Sequence, residues 1–182
     1  HHPNVPELPG LGDFAGACFH SARWDHTVPL KGRRVGVIGT GSTAIQITSA
    51  LVERVAHYTL FQRTAQWIMP IENPPYSAEE RAAFARDPAL IEALRREMDR
   101  AAIEKLSNAV IAADSPEMKK IEGMCRANLE RSVQDPVLRE KLRPNYRAAC
   151  KRLIFSPDFY AAIQRPNASL VTEAIEHIEA GG

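Results

Sequence analysis

Arg33-Arg-Val-Gly-Val-Ile-Gly-Thr-Gly-Ser-Thr-Ala-Ile-Gln46, followed by Tyr58-Thr-Leu-Phe-Gln-Arg-Thr64, reads as strand, glycine turn, helix and second strand. Val35, Val37 and Ile38 make a short β-branched apolar run, the pattern of a strand buried on both faces of a parallel sheet. Gly39 and Gly41 come directly after it. Lacking a Cβ, the first can take a sharp turn and the second lets a pyrophosphate approach the backbone, while Ala44 keeps the following helix close to the sheet. A helix from Gly41 to about Arg54 would aim its free N–H groups and positive dipole end at that anion. The cofactor-binding set expected at this turn is Gly39, Thr40, Gly41, Ser42, Thr43, Ala44 and Gln46. A G-x-G-x-x-A pattern alone is weak, because many buried turns need small residues; the strand before it and the helix after it give it meaning.

The end of the second strand decides which dinucleotide fits. A site for NAD usually places Asp or Glu there against the ribose hydroxyls, whereas Arg accommodates a 2′-phosphate. The chain offers Gln62, Arg63 and Thr64, with no acid. A guanidinium matches phosphate with two parallel hydrogen bonds, so Arg63, with Thr64 beside it, points to NADP.

The 182 residues leave room for one domain, or for a domain with a large insertion. A formal charge of +1 sets up no field for nucleic acid or anionic lipid. No apolar run approaches a membrane span and no signal peptide opens the sequence. Three cysteines, Cys18, Cys125 and Cys150, lack metal-ligand spacing and suit a reducing compartment, so the expectation is a cytoplasmic protein with no bound metal.

Residues 1–13, with Pro3, Pro6, Pro9 and Gly10, read as an extended linker. Glu173 to Glu179 alternates like a strand, and the chain reads as a piece of a longer protein. Between linker and glycine turn, Phe14, Gly16, His20, Trp24 and Asp25 stand in the pattern F-x-G-x-x-x-H-x-x-x-W-[P/D]. This stretch resembles the fingerprint of type I Baeyer–Villiger monooxygenases, class B flavin-containing monooxygenases, in which it also precedes an NADP-type glycine turn. Related enzymes that oxidise nitrogen or sulfur generally lack the tryptophan, so Trp24 favours the ketone-oxidising branch. Taken alone, His20 on a short strand reads as a packed, hydrogen-bonded histidine. The resemblance implies instead a functional place at the hinge between flavin and nicotinamide domains.

Thr64 to Tyr76, rich in proline, reads as an irregular loop, and Phe61-Gln-Arg-Thr with Gln66-Trp67 is again similar to the family. Helices follow. Ser77 and Glu80 form a capping box for a helix ending near Arg86. Asp87 and Pro88 open a long helix whose stripe is Ile91, Leu94, Met98, Ala102, Leu106 and Val110. A third starts near Pro116 with Met118, Ile121, Cys125, Leu129 and Val133 inward, and a fourth runs from Asp135-Pro136 to Pro144. The helical stripes would alternatively suit a partner helix or an amphipathic ligand, though charged residues cover the outer face as on any half-buried helix. Ser156 to Gln164 reads as a further capped helix and Ser169 to Thr172 as a strand.

Tyr146-Arg-Ala-Ala-Cys-Lys-Arg152 is similar to a family run that brings two cations to the active site. The resemblance implies a second 2′-phosphate contact from Lys151 and a catalytic role for Arg152 and, at the hinge, His20. Where the family usually has Gly, this chain has Ala149. The expected fold is α/β: a Rossmann-like NADP-binding domain with a parallel sheet and a helical insertion. Its parts are a linker and fingerprint segment over 1–32, the first βαβ over 33–72, the insertion over 73–144 and a return to the Rossmann domain over 145–182. The implied function is the NADP(H)-binding part of a flavin-dependent monooxygenase that inserts one oxygen atom of O2 into a ketone, giving an ester or lactone. FAD would bind outside this chain, in a domain of the same protein, and the piece by itself would be inactive. Two alternatives stay open: an N- or S-oxygenating flavin monooxygenase, and a non-catalytic NADP-binding module.

Overall fold

A computed structural model describes residues 3–72, 74–111 and 114–182. The apolar run after Arg33 forms β1 (Arg34–Ile38), and the glycine turn leads into α1 (Ser42–Leu51). β2 (His57–Phe61) lies parallel to β1, with Val37 opposite Leu60 and Ile38 opposite Phe61. Its other edge pairs in parallel with β5 (Ala168–Val171), so the strand order is β1-β2-β5.

One face of this sheet carries the main core. Tyr58 and Leu60 are fully buried beneath Ala44, Ile45 and Leu51 of α1, Val52 at its C-cap, and Phe159, Tyr160 and Ile163 of α7 (Phe159–Ile163). Within it Thr48 Oγ1 donates to the Ala44 carbonyl at 2.8 Å and shares a 2.9 Å hydrogen bond with the Tyr58 hydroxyl, whose pKa burial pushes up to about 12. The opposite face corrects the expectation of a strand buried on both sides. Val35 and Val37 are half-buried on the core face, whereas Gly36 and Ile38 are exposed, Ile38 to 50%. The reason is that α1 and α7 pack together on the same side of the sheet.

Between β2 and β5 the chain makes a long excursion. Two residues of the expected irregular loop instead form β3 (Ile68–Met69), which pairs in parallel with β4 (Ile154–Phe155) on the far side of the helices. Helix α2 (Ala78–Arg86) starts from the Ser77–Glu80 capping box, and Asp87 Oδ1 accepts from the Ala89 N–H at the start of α3 (Ala89–Ala102). The long helix expected to continue to Val110 does not run through unbroken. A π-helical turn, Ile103–Ser107, separates α3 from α4 (Asn108–Ile111). Nor is the α3 stripe a core face, since Ile91 and Met98 are exposed, Met98 to 62%. The side chains of Ala102, Leu106 and Val110 fall outside the described residues.

Helix α5 (Pro116–Ser132), capped by Ser115, buries Met118, Ile121, Cys125 and Leu129 as its pattern predicts, with Val133 buried just beyond it. Met118, Ile121 and Cys125 join Trp67, Met69 and Ala148 in a second core. Asp135 caps α6 (Pro136–Lys141). The alternating tail forms no strand; among the described residues its backbone hydrogen bonds to the N-terminal segment are Ile178 N–H to Pro9 O, at 2.8 Å, and Ala15 N–H to Ala180 O, at 3.0 Å. Alternation without a ladder partner does not make a sheet.

Asn167 closes the C-terminal end of α1 from a distance. Its Nδ2 donates to the Val52 and Val55 carbonyls at 2.8 and 3.0 Å, while its own carbonyl accepts from the Tyr58 N–H at 2.8 Å. Asn167→Ala leaves both carbonyls without that donor, and urea denaturation is expected to show a loss of about 1–3 kcal/mol.

Candidate functional site

The parallel sheet brings the C-terminal ends of β1 and β2 to one edge, and the glycine turn rises there. Gly39 has φ +106, a conformation that L side chains rarely adopt, and its N–H donates to the Phe61 carbonyl at 2.9 Å. Gly41 is different: it sits at the N-cap of α1 with φ −67 and ψ 174, which any residue tolerates. A Cβ built on Gly41 meets nothing within 4 Å. Nothing in the chain itself demands glycine at this position, so the space above it suits a group that approaches the backbone. No side chain caps the first turn of α1, which leaves its N–H groups facing that space.

The turn is tied to the segment after β2. Thr40 is buried, its Oγ1 donating to the Thr64 carbonyl at 2.7 Å and accepting from Gln66 Nε2 at 3.3 Å. Ala44 is buried against the main core, whereas Thr43 and Gln46 are exposed and Ser42 is half-exposed beside the turn. Arg63 is exposed and pairs with no carboxylate among the described residues.

The cationic segment reaches the same neighbourhood through β4. Ile154 N–H donates to the Trp67 carbonyl at 3.3 Å and Ser156 N–H to that of Met69 at 3.2 Å, which fixes the residues after Arg152 beside the Thr64–Trp67 segment. The Trp67 indole donates to the Tyr146 carbonyl at 2.8 Å, and the Tyr146 hydroxyl donates to Gln66 Oε1 at 3.0 Å. Lys151 Nζ stands 4.8 Å from the centre of the Tyr146 ring. Lys151 and Arg152 are both exposed, and neither pairs with a carboxylate among the described residues. Ala149 takes φ +63, the left-handed conformation for which glycine is the natural residue.

His20 is not on a strand. It precedes a 3-10 turn over Ser21–Arg23, and its Nδ1 accepts from the Ala22 N–H at 3.0 Å, because two residues on the chain reverses and offers it that donor. Phe19 and Trp24 stack edge to face at 5.3 Å, and Asp25 caps Thr27 through both its N–H and its hydroxyl, which lowers the Asp25 pKa. No hydrogen bond or ion pair joins His20 to the glycine turn or to Lys151 and Arg152 among the described residues. The contacts thus join the turn, the Thr64 segment and the cationic segment, and among the described residues His20 bonds to its own turn. Gln66 and Tyr146 are the link that sequence reasoning passed over. Their contact spans 80 residues and leaves no local signal.

A family model described as flavin-binding monooxygenase-like matches residues 1–121. A monooxygenase of Mycobacterium tuberculosis without a characterised activity is 46% identical over 100% of this chain and 36% of its own length. A Baeyer-Villiger monooxygenase of Streptomyces coelicolor is 40% identical over 97% of the chain and 34% of its own. Among solved structures, cyclohexanone monooxygenase from Rhodococcus sp. Phi1, bound to NADP+, superposes with a TM-score of 0.75 at 30% identity, over 92% of this chain and 38% of that one. The chain spans about a third of the length of the curated relatives it matches. Its parallel sheets match the Rossmann-like domains of such neighbours.

The two glycines should separate under mutation. Gly39→Ala forces a side chain into φ +106 and is expected to lower stability by about 1–2 kcal/mol. Gly41→Ala is expected to stay within about 0.5 kcal/mol of wild type, since the lost N-cap preference offsets the entropy gain. Ala149→Gly, which relieves the left-handed residue, is expected to stabilise by about 0.5–1 kcal/mol. Chemical denaturation of the three variants measures each difference.

Proposed function

Because the chain belongs to the flavin-binding monooxygenase-like family, we propose that it supplies the NADP(H)-binding part of a flavin-dependent monooxygenase. That enzyme would insert one oxygen atom of O2 into a small-molecule ketone to give an ester or lactone. The observation that carries the reading is the open backbone at Gly41, set at an uncapped helix N-terminus and tied through Thr40 to the segment holding Arg63. Backbone N–H groups of the first turn of α1, with Ser42 and Thr43 beside them, would hold the pyrophosphate of NADP. Arg63 and Lys151 would meet the 2′-phosphate, one as a planar fork and the other as a point charge. Ala44 keeps α1 against the sheet so that the turn can close on the ligand.

NADPH would supply hydride, and FAD, held by a part of the protein outside this chain, would supply the oxygen chemistry. Within this chain Arg152 is the residue proposed to stabilise negative charge developing at the reacting centre, since a guanidinium keeps its proton and donates in a fixed geometry. His20, bound to its own turn, would act at the hinge between the nicotinamide and flavin parts rather than as a proton carrier. The ketone reading over nitrogen or sulfur oxidation is supported by Trp24 and by a Baeyer-Villiger monooxygenase among the relatives.

Arg63→Ala is expected to weaken NADPH binding by about one to two orders of magnitude, the worth of a charged hydrogen bond, and to leave NADH binding nearly unchanged. Equal losses for both dinucleotides would contradict the phosphate assignment. In the full-length protein Arg152→Ala should lower the rate of lactone formation from a cyclic ketone by about 100- to 1000-fold. Wild-type turnover by that variant, or a wild-type enzyme that oxidises a thioether but no ketone, would overturn the reading.

A further inference from the structure

A connected set of side-chain contacts runs from the glycine turn to Lys151. Thr40 accepts from Gln66 Nε2 at 3.3 Å, Gln66 Oε1 accepts from the Tyr146 hydroxyl at 3.0 Å, and the Tyr146 ring faces the Lys151 ammonium at 4.8 Å. Each partner fixes the next. Thr40 spends its proton on the Thr64 carbonyl, so only the amide nitrogen of Gln66 can face it, and the amide oxygen is thereby turned toward Tyr146. Burial raises the Tyr146 pKa, which keeps the phenol protonated and donating. The Tyr146 main chain is anchored separately, by the Trp67 indole at 2.8 Å, and the Arg126 guanidinium lies 5.4 Å from the centre of the Trp67 ring.

Lysine alone is a poorly placed charge. Its four-carbon stem spreads the ammonium over many rotamers, and at this exposed site no carboxylate among the described residues restricts it. A ring face whose own rotation is fixed at the hydroxyl end gives that charge one preferred station. The geometry points to Tyr146, oriented by Gln66, as a positioning residue that sets where the Lys151 charge stands relative to the glycine turn. It would thereby tune the preference for a 2′-phosphorylated over an unphosphorylated nicotinamide dinucleotide. This rests on the proposed NADP site and adds to it residues that touch neither phosphate nor ring of the ligand.

The test measures Kd for NADP+ and NAD+ by titration calorimetry on the full-length protein. Lys151→Ala is expected to raise Kd for NADP+ by about 10- to 30-fold with NAD+ unchanged. Tyr146→Leu should raise Kd for NADP+ by about fivefold, again without moving NAD+, and Tyr146→Phe, which keeps the ring face but loses its tether to Gln66, should recover only part of that loss. In the Lys151→Ala background, Tyr146→Leu should add nothing, because the charge it positions is gone. If Lys151→Ala loses discrimination but Tyr146→Leu does not, or if Tyr146→Leu weakens both dinucleotides equally, the positioning role is wrong and the cofactor reading stands. If Lys151→Ala moves neither Kd, the phosphate role of Lys151 falls and the positioning role falls with it.

Discussion

β1 and β2 must end level with one another, and the candidate site depends on that register. With Ile38 opposite Phe61, the next N–H along, that of Gly39, reaches the Phe61 carbonyl at 2.9 Å, and Thr40 can then reach Thr64 at 2.7 Å. A slip of one residue would turn Tyr58 and Leu60 out of the core and carry Arg63 away from the turn. The packing that fixes the fold therefore also fixes the distance between the N-terminal end of α1, which no side chain caps, and the cation beyond β2. Strand ends gathered at one edge are where parallel sheets bind ligands.

Features that rest on local chemistry could be read from the sequence. Gly39 needs its positive φ whatever surrounds it, Ser77 and Glu80 satisfy each other within one turn, and Ser115 and Asp135 cap helices that begin with proline. The inward face of α5 followed from spacing alone, since Met118, Ile121, Cys125 and Leu129 all lie on one side. What spacing cannot carry is the identity of the neighbour. The β3–β4 pair joins two residues to two others across the whole helical excursion, too short a run to announce itself. The exposure of Ile38 and Met98 was illegible for the same reason: an apolar pattern says that a face can be buried, and tertiary packing decides whether it is. The wrong strand placement of His20 has a local cause, because its ring nitrogen found a backbone donor two residues on and took up a capping turn.

The site sits at the seam between the two cores, and adjacent residues serve different ones. Ile68 belongs to the core under α1, while Trp67 and Met69 belong to the core under Tyr146 and Ala148. Helix α5 spans both, with Leu129 in the first and Met118, Ile121 and Cys125 in the second. It also holds the cationic segment from below, since Glu122 accepts from the Ala148 N–H at 3.0 Å while pairing with Arg126 at 3.1 Å. Asn128 adds a bond to the Ile68 carbonyl at 3.3 Å. A helix far from the glycine turn in sequence thus fixes both the loop that follows β2 and the loop that carries Lys151.

Charge and support are divided between different groups. Arg63, Lys151 and Arg152 are exposed and, among the described residues, have no carboxylate partner, whereas Arg95, Arg96, Arg126, Arg143 and Arg165 each pair with a glutamate. An exposed cation contributes little to folding with or without a partner, so leaving these three unpaired costs the fold almost nothing. It does leave them available to an anion. Exposed charges are also weakly felt, being screened by salt over about 8–10 Å, and their value to a ligand then depends on how closely they are held. The groups able to hold them, Thr40, Gln66, Trp67 and Tyr146, are buried or half-buried and make their polar contacts with one another or with the main chain. Rigidity belongs to the covered layer and charge to the open one, and the two meet where Lys151 lies over the Tyr146 ring.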